Sequence, residues 1–160
     1  MNELNTLSAD EAERRLLECF ASAQWARAVA RGRPYSSADE LREAAERAWS
    51  ELPPEAWTEA LAGHPRIGER GGSSPAASER EQAGVRAAPG SVLVELVEEN
   101  RRYEARFGHV FLIAAAGRSA EEILAALRER MRNDPATEAG VAAEEHRKIA
   151  RMRLEALAAR

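Results

Sequence analysis

The first residue suited to proton chemistry is His64, which stands where a helical pattern gives way to a glycine-rich stretch, in the motif His64-Pro65-Arg66-Ile67-Gly68. The proline that follows fixes the direction in which the backbone leaves the histidine. Imidazole is the side chain best matched to proton transfer near neutral pH. A histidine at the C-terminal end of a helix can instead serve only to interact with the helix dipole. The residues alone leave both roles open.

A second polar group follows in Ser78-Glu79-Arg80-Glu81-Gln82. Ser78 and Glu81 have the spacing of a capping box, in which a serine and a glutamate bond reciprocally at the start of a helix. In a functional interpretation, Ser78 and the backbone N–H groups of a helix start form a rim for an anion or a carbonyl. Glu81 and Gln82 would add an acceptor and a bidentate amide for the edge of a heterocycle. The spacing fits either interpretation.

Arg153 is the third candidate, because it shares a helical stripe with Ile149 and Leu157 at intervals of four residues. All but one of the 23 basic residues are arginines, so an arginine needs an argument from its position before it indicates function. A guanidinium on a buried stripe needs an anionic partner, since an unpaired buried charge is costly. The alternative is that the side chain extends to water at its tip.

The elements that must position these residues are helices. Serines followed three residues later by glutamate mark helix starts at Ser8, Ser37 and Ser119, and apolar residues recur behind them at helical spacing. Further helices are predicted from Pro53, from about Ser78 to Ala87, over 92–107, and from Asn133-Asp134-Pro135 onward. No hairpin signal appears. The sequence therefore predicts an all-α bundle of six to eight helices, in one domain over 1–160.

Two stretches interrupt this helical pattern, at 63–77 and 108–117. The first is rich in glycine, proline and serine, and the second contains the apolar run Val110-Phe111-Leu112-Ile113. Irregular segments of this length in a compact helical domain are usually functional or disordered. We therefore expect the chemistry to be found beside them.

Composition excludes several classes of protein. Hydrophobic residues make up 44% of the 160 residues, which is enough for a core, and no apolar run is long enough to span a membrane. The net charge of −4 does not favour nucleic acid, and no secretory signal is visible. A single cysteine, Cys19, excludes an intramolecular disulfide, and the three scattered histidines give no metal-ligand spacing. His109 and His146 are weaker candidates for chemistry than His64, and the expected location is the cytoplasm.

Several motifs, taken in order, make the chain resemble the 2-oxo-4-hydroxy-4-carboxy-5-ureidoimidazoline (OHCU) decarboxylase family. The carriers of the resemblance are Cys19 and Trp25 with Gly32-Arg33-Pro34-Tyr35, the His64 to Gly68 motif, the Ser78 to Gln82 motif, Asn100, Tyr103 and Arg106-Phe107-Gly108 with Phe111-Leu112-Ile113, Asn133-Asp134-Pro135, and Ile149 to Leu154. The chain has Phe107-Gly108-His109-Val110-Phe111 where the family usually reads F-G-F-P-F, and its loop between Gly68 and Ser78 is short. The resemblance covers nearly the whole chain.

The resemblance implies cofactor-independent decarboxylation of OHCU to S-allantoin and CO2, the last step of urate degradation. It implies an all-helical fold, a homodimer, and no metal or organic cofactor. It places His64 as the catalytic acid, Glu81 as its partner and Arg153 on the substrate carboxylate. The residues implied to bind the ring and ureido group are Pro65, Ser78, Glu81, Gln82, Phe111, Leu112, Ile113, Ala114 and Ala115.

Other functions stay open beside this one. The chain could be a non-enzymatic helical interaction module, which would explain amphipathic helices but not the polar groups placed at two long loops. It could also be another lyase or hydrolase of the ureide pathway, although it lacks a metal site and a serine or cysteine nucleophile motif. The expected partner is the small-molecule substrate, with functional coupling to a 5-hydroxyisourate hydrolase and no binding of nucleic acid or membrane.

Overall fold

The computed structural model describes residues 2–67 and 75–160, and every regular element in those ranges is an α-helix. This confirms the all-α class. The glycine-rich part of the first interrupting stretch, together with Gly68 of the His64 motif, lies outside the described residues. No helix within the described ranges has the length and apolar character needed to cross a bilayer.

The described residues form ten helices, two more than the upper bound predicted. Their bounds are α1 Asn2–Thr6, α2 Ala9–Cys19, α3 Ala23–Arg31, α4 Ala38–Ser50, α5 Pro54–Leu61, α6 Pro75–Glu81, α7 Ala83–Arg86, α8 Gly90–Phe107, α9 Ala120–Arg130 and α10 Pro135–Ala158. One excess helix arises where the helix predicted behind Ser8 is interrupted. It ends at Cys19, and Ser22 caps a new helix by accepting a hydrogen bond from the backbone N–H of Trp25 at 3.3 Å.

The chain divides into two compact units, of which the first comprises Met1–Gly63 and Ile149–Arg160. Its interior is built around aromatic rings. Trp25 stacks on Trp49 with ring centroids 5.3 Å apart, and Phe20 meets both rings edge-on. Trp25 also donates its indole N–H to the backbone oxygen of Ala45 at 3.2 Å. The prediction that the tryptophans belong to the core is confirmed for Trp25 and Trp49, which are almost fully buried.

The second unit comprises His64–Lys148. Its apolar core joins α8 and α9 to the irregular segment between them, and its members include Leu96, Tyr103, Phe111, Ile113, Ile123 and Leu127. Gly108 ends α8 in the left-handed conformation, at φ 77°, which glycine adopts without steric cost. The predicted capping box at Ser119 and Glu122 is present with both reciprocal hydrogen bonds. These two local signals fix the ends of the segment at 108–119.

Candidate active site

His64 lies in the second unit, and its ring forms a hydrogen bond with a second imidazole. The Nε2 atom of His64 is 2.8 Å from the Nε2 atom of His146, with the two rings nearly perpendicular. His64 is partly buried, whereas His146 is only 2% exposed. A ring nitrogen can donate only when it carries a proton, so one of these atoms donates and the other accepts. The contact therefore joins two imidazoles by one hydrogen bond.

His146 is a residue that the sequence analysis rated too low, because four charged residues surround it. The charged neighbours are Glu144, Glu145, Arg147 and Lys148. The signal that could have found it is its position on α10. His146 follows the buried Ala142 by four residues and precedes the buried Ala150 by four, so it belongs to a buried stripe of that helix.

The helix that carries Ser78 begins earlier than predicted. α6 starts at Pro75, so Ser78 is its fourth residue and not its cap, and the predicted capping box of Ser78 with Glu81 is wrong. The interpretation in which Ser78 and the N–H groups of the helix start form a rim for an anion or a carbonyl stays a prediction. Proline lacks an N–H and suits the first turn of a helix, and this signal outweighs the serine.

Ser78 and Gln82 are two buried polar side chains, and their binding role stays a prediction. Both side chains are 4% exposed, and their spacing of four residues puts them on one side of the helical turn. The backbone N–H of Gln82 donates to the oxygen of Ser78 at 3.0 Å, and Gln82 then interrupts the helix before α7. Glu81 between them is partly buried. Its partnership with His64 stays a prediction.

The apolar segment at 111–115 is irregular and largely buried. Phe111, Leu112, Ile113 and Ala115 are at most 3% exposed, and Ala114 is partly buried. Arg130 fixes the backbone of this segment, since its Nη1 donates to the oxygen of Leu112 at 2.7 Å. Its guanidinium also lies 4.5 Å from the centroid of the Phe111 ring. Arg130 therefore contacts both the Phe111 ring and the Leu112 backbone oxygen of the predicted binding segment.

Arg130 is in turn held by Glu138, a fully buried carboxylate on α10. Glu138 Oε1 accepts from Arg130 Nε at 2.7 Å and from the Tyr103 hydroxyl at 2.5 Å, and Oε2 accepts from Asn133 Nδ2 at 3.0 Å. Burial acts to raise the pKa of Glu138, but the hydrogen bonds from Arg130, Tyr103 and Asn133 outweigh it and hold the pKa below its ordinary value. Burial, together with donation to this carboxylate, raises the pKa of Tyr103. Glu138 is therefore an ionised group inside the core.

Sequence reasoning missed this cluster because the abundance of arginine hid Arg130. Arg130 follows Leu127 by three residues and Ile123 by seven, and both of these are fully buried. Arg130 itself is 7% exposed. Arg130 lies on a helical stripe of apolar residues, as Arg153 does, so the argument that selected Arg153 from the sequence could also have selected Arg130.

Arg153 lies in the first unit and is buried, at 9% exposure, between the buried Ile149 and Leu157 on α10. This confirms the predicted stripe and contradicts the alternative in which the side chain extends to water. Its Nη1 donates to the backbone oxygen of Glu18 at 3.3 Å. Contact of Arg153 with a substrate carboxylate stays a prediction.

The structure thus assigns the candidate residues to two units. His64, Pro65, Ser78, Glu81, Gln82 and the residues from Phe111 to Ala115 belong to the second unit, and Arg153 belongs to the first. Among the residues that the structure describes, no cluster of three or more His, Cys, Asp or Glu side chains could hold a metal ion.

A helical chain with a histidine pair and buried polar side chains beside an irregular segment has the character of a small all-α enzyme. The family model described as OHCU decarboxylase matches residues 5–155, which span both units, and the chain belongs to that family. The family resemblance drawn from the sequence motifs is confirmed.

Individual relatives support the same assignment. The chain is 32% identical over 157 residues to a 2-oxo-4-hydroxy-4-carboxy-5-ureidoimidazoline decarboxylase of Haloferax volcanii, covering 96% of this chain and 93% of that protein. It is 33% identical to a uric acid degradation bifunctional protein of Arabidopsis thaliana, covering 87% of this chain but only 45% of the plant protein. The chain therefore spans about half the length of this bifunctional relative.

A solved structure has the same fold. It is a crystal structure of OHCU decarboxylase in the presence of (S)-allantoin, with a TM-score of 0.80 and 31% sequence identity. The match covers 92% of this chain and 99% of the other. The helical arrangement of this chain is thus that of a crystallised decarboxylase along almost its entire length.

Proposed function

We propose that this chain catalyses the decarboxylation of OHCU to S-allantoin and CO2, the last step of urate degradation. The observation that carries the proposal is the correspondence, over 92% of the chain, with a decarboxylase crystallised with (S)-allantoin. The full-length likeness to the decarboxylase of Haloferax volcanii supports it. The enzyme would be a carboxy-lyase.

The reaction needs a group that delivers a proton. When the carbon–carbon bond to the carboxylate breaks, CO2 departs and the bonding electron pair passes into the adjacent ring C=N bond, which leaves an enol. A proton must then be added from one face to the ureido-bearing carbon, which fixes the S configuration, while the enol hydroxyl loses its proton and becomes the ring carbonyl. His64 is the proposed acid, because an imidazolium is a competent proton donor near neutral pH and its ring is held by His146.

The other residues have roles in binding and orientation. Ser78 and Gln82 present two buried polar side chains one turn apart, and they are proposed to hold the ring and the ureido group together with Pro65 and the backbone from Phe111 to Ala115. Glu81 is proposed as the partner of the acid. Arg153 is proposed to bind the substrate carboxylate by charge-assisted hydrogen bonds, on the family resemblance and on the burial of its side chain.

The alternative of a cysteine-dependent hydrolase is weakened by the state of Cys19. Burial raises the pKa of this thiol to about 12. Only the thiolate is an effective nucleophile, so Cys19 is inert near neutral pH. Its Sγ lies 3.7 Å from the backbone oxygen of Arg15 within its own helix.

The test of the proposed function is optical. Freshly prepared OHCU is mixed with the protein, and the circular dichroism of the allantoin formed is followed against a sample without protein. Accumulation of optically active S-allantoin supports the decarboxylase. A slow decay to racemic allantoin that is the same with and without protein would instead indicate a non-enzymatic interaction module.

Partners are proposed on the same resemblance. The bifunctional relative of Arabidopsis thaliana supports functional coupling to a 5-hydroxyisourate hydrolase, which would supply the short-lived substrate. A homodimer and a cytoplasmic location stay predictions, and light scattering of the purified protein decides the first of them.

A further inference from the structure

The feature that the family resemblance leaves unexplained is the partner of His64. The resemblance supplies Glu81 as the partner of the acid, but the hydrogen bond described for the His64 ring joins it to His146 on α10. α10 has 24 residues and is the longest of the described helices. A side chain on such an element is a rigid support for a group in an irregular stretch such as the one that holds His64.

The distance between the two rings limits how many protons the pair can hold. At 2.8 Å the two Nε2 atoms share one hydrogen, because two N–H groups would repel and two lone pairs would form no bond. The pair is therefore neutral or carries a single positive charge. A pair with one charge has one proton in the shared bond and one on each Nδ1 atom.

Burial decides which ring carries that charge. Desolvation disfavours the charged form of an imidazole, and His146 is 2% exposed whereas His64 is only partly buried. The imidazolium is thus His64, and its Nε2–H donates to the Nε2 lone pair of a neutral His146. The neutral ring must then carry its proton on Nδ1.

The charged residues next to His146 along α10 form ion pairs, either with each other or with Arg118. Glu145 is buried and pairs with Lys148 at 2.8 Å and with Arg118 at 3.9 Å. Arg147 pairs with Glu144 at 3.6 Å. The four charged neighbours of His146 in the sequence therefore have ion-pair partners other than His146.

We propose that His146 is a positioning residue for the decarboxylation: as a neutral acceptor it holds the His64 ring in one orientation and stabilises the imidazolium that delivers the proton. This inference rests on the proposed function. His146 would not touch the reacting atoms and would act only through His64.

The kinetic test uses two substitutions. His146→Leu removes the acceptor at similar volume, and kcat for OHCU is expected to fall about 10- to 100-fold with KM unchanged within about twofold, since a positioned acid contributes about 10²–10⁴-fold. His146→Gln retains an amide oxygen that can accept from Nε2–H, and its kcat is expected to recover to within about threefold of wild type. Equal loss in both variants, or a wild-type kcat in His146→Leu, would overturn the proposal.

A second measurement does not depend on activity. The chain has only three histidines, so the ¹⁵N spectrum of its imidazoles is simple, and His146→Gln assigns the signals. In the wild-type protein we expect His146 as the neutral Nδ1–H tautomer, and His64 as the ring that titrates. His109, which is not part of the pair, serves as an internal reference whose signals stay unchanged in the variants. A wild-type His146 that carries its proton on Nε2 would contradict the proposal even if His146→Leu fails to fold.

The two measurements separate this inference from the function it rests on. If the wild-type protein makes no S-allantoin, the proposed function fails, while the tautomer of His146 still tests the pair. If the wild-type protein is active and both His146 variants are equally active, the function stands and the role of His146 is wrong.

Discussion

Trp25 in the first unit and Glu138 in the second are both fully buried, but they are held in different ways. Trp25 is held mainly by ring contacts with Trp49 and Phe20, which depend on area and shape. Glu138 is held by directed hydrogen bonds from the side chains of Arg130, Tyr103 and Asn133. Loss of one ring contact leaves the others intact, whereas loss of one charged partner leaves a buried charge uncompensated.

The difference indicates what each region does. The aromatic cluster supplies stability to its unit. The Glu138 cluster also fixes a backbone oxygen of the segment at 111–115, through Arg130, and so links stability to the geometry of a proposed binding segment.

The largest effect is expected at His64. In His64→Asn the imidazole proton donor is lost, and turnover is expected to fall by about two to four orders of magnitude, the usual worth of a positioned acid. Circular dichroism should show unchanged helicity, because the residue lies outside the helices. A variant with the wild-type rate would make His64 a structural residue.

A similarly large effect, on stability, is expected in the Glu138 cluster. Glu138→Leu leaves the Arg130 guanidinium without its counter-ion, and the free energy of unfolding is expected to fall by about 3–5 kcal/mol. The double variant Arg130→Met with Glu138→Leu removes both charges and should recover part of this loss. Urea unfolding measures the free energy of unfolding of the single and the double variant. A double variant less stable than Glu138→Leu would contradict the view that the uncompensated charge is the cause.

Arg153→Ala is expected to have an intermediate effect on catalysis. Loss of a charge-assisted contact with the substrate carboxylate should lower kcat/KM by an amount equivalent to about 1.5–3 kcal/mol. Arg42→Ala is the matched control, since Arg42 lies in the same unit, is exposed, and pairs with Asp39 at 2.7 Å. Wild-type kinetics in Arg153→Ala would remove it from the site.

Glu81→Gln distinguishes a structural from a catalytic role of Glu81, and its expected effect on turnover is smaller. Ser78 lies inside α6, so the capping box that could have explained Glu81 is not formed, and the role of Glu81 as partner of His64 stays a proposal. Turnover is expected to fall about tenfold or more, with the melting temperature little changed, because general acid–base groups act through their ionisation. Full activity in this variant would exclude Glu81 from the catalytic group.

The smallest effect is expected in the dependence of stability on pH. The pKa of Glu138 is lower in the folded protein than in the unfolded chain, so its contribution to stability is present above the ordinary carboxyl pKa and is lost as pH falls through the lowered value. Amide hydrogen exchange of residues in the second unit should report this loss on acidification. In Glu138→Gln this component should vanish, and an unchanged acid response there would assign it to other carboxylates.

The sequence predicted those parts of the fold that depend on local signals. The capping box at Ser119, the end of α8 at Gly108 and the start of α10 at Pro135 each depend on backbone chemistry within one turn. The helix containing Ser78 was misjudged because Pro75 is the stronger start signal. The stripe of Ile149, Arg153 and Leu157 was predicted, but the sequence left open whether the Arg153 side chain is buried, and the structure shows that it is.

The parts that the sequence did not predict depend on contacts between distant residues. His64 and His146 are 82 residues apart in the chain, and Tyr103 and Glu138 are 35 apart. Periodicity places such residues on a buried face of a helix but does not identify the partner they meet there. The partner of His146 and the partners of Glu138 are given only by the three-dimensional structure.

The handedness of the product tests the central claim most directly. Fresh OHCU is incubated with wild type, His64→Asn and Arg153→Ala, and the ratio of allantoin enantiomers is measured before the product racemises. We predict S-allantoin from wild type and, more slowly, from Arg153→Ala, which keeps the proton donor. From His64→Asn we predict racemic allantoin at close to the uncatalysed rate. S-allantoin formed by His64→Asn at the wild-type rate would contradict the account, because the proton would then come from another group.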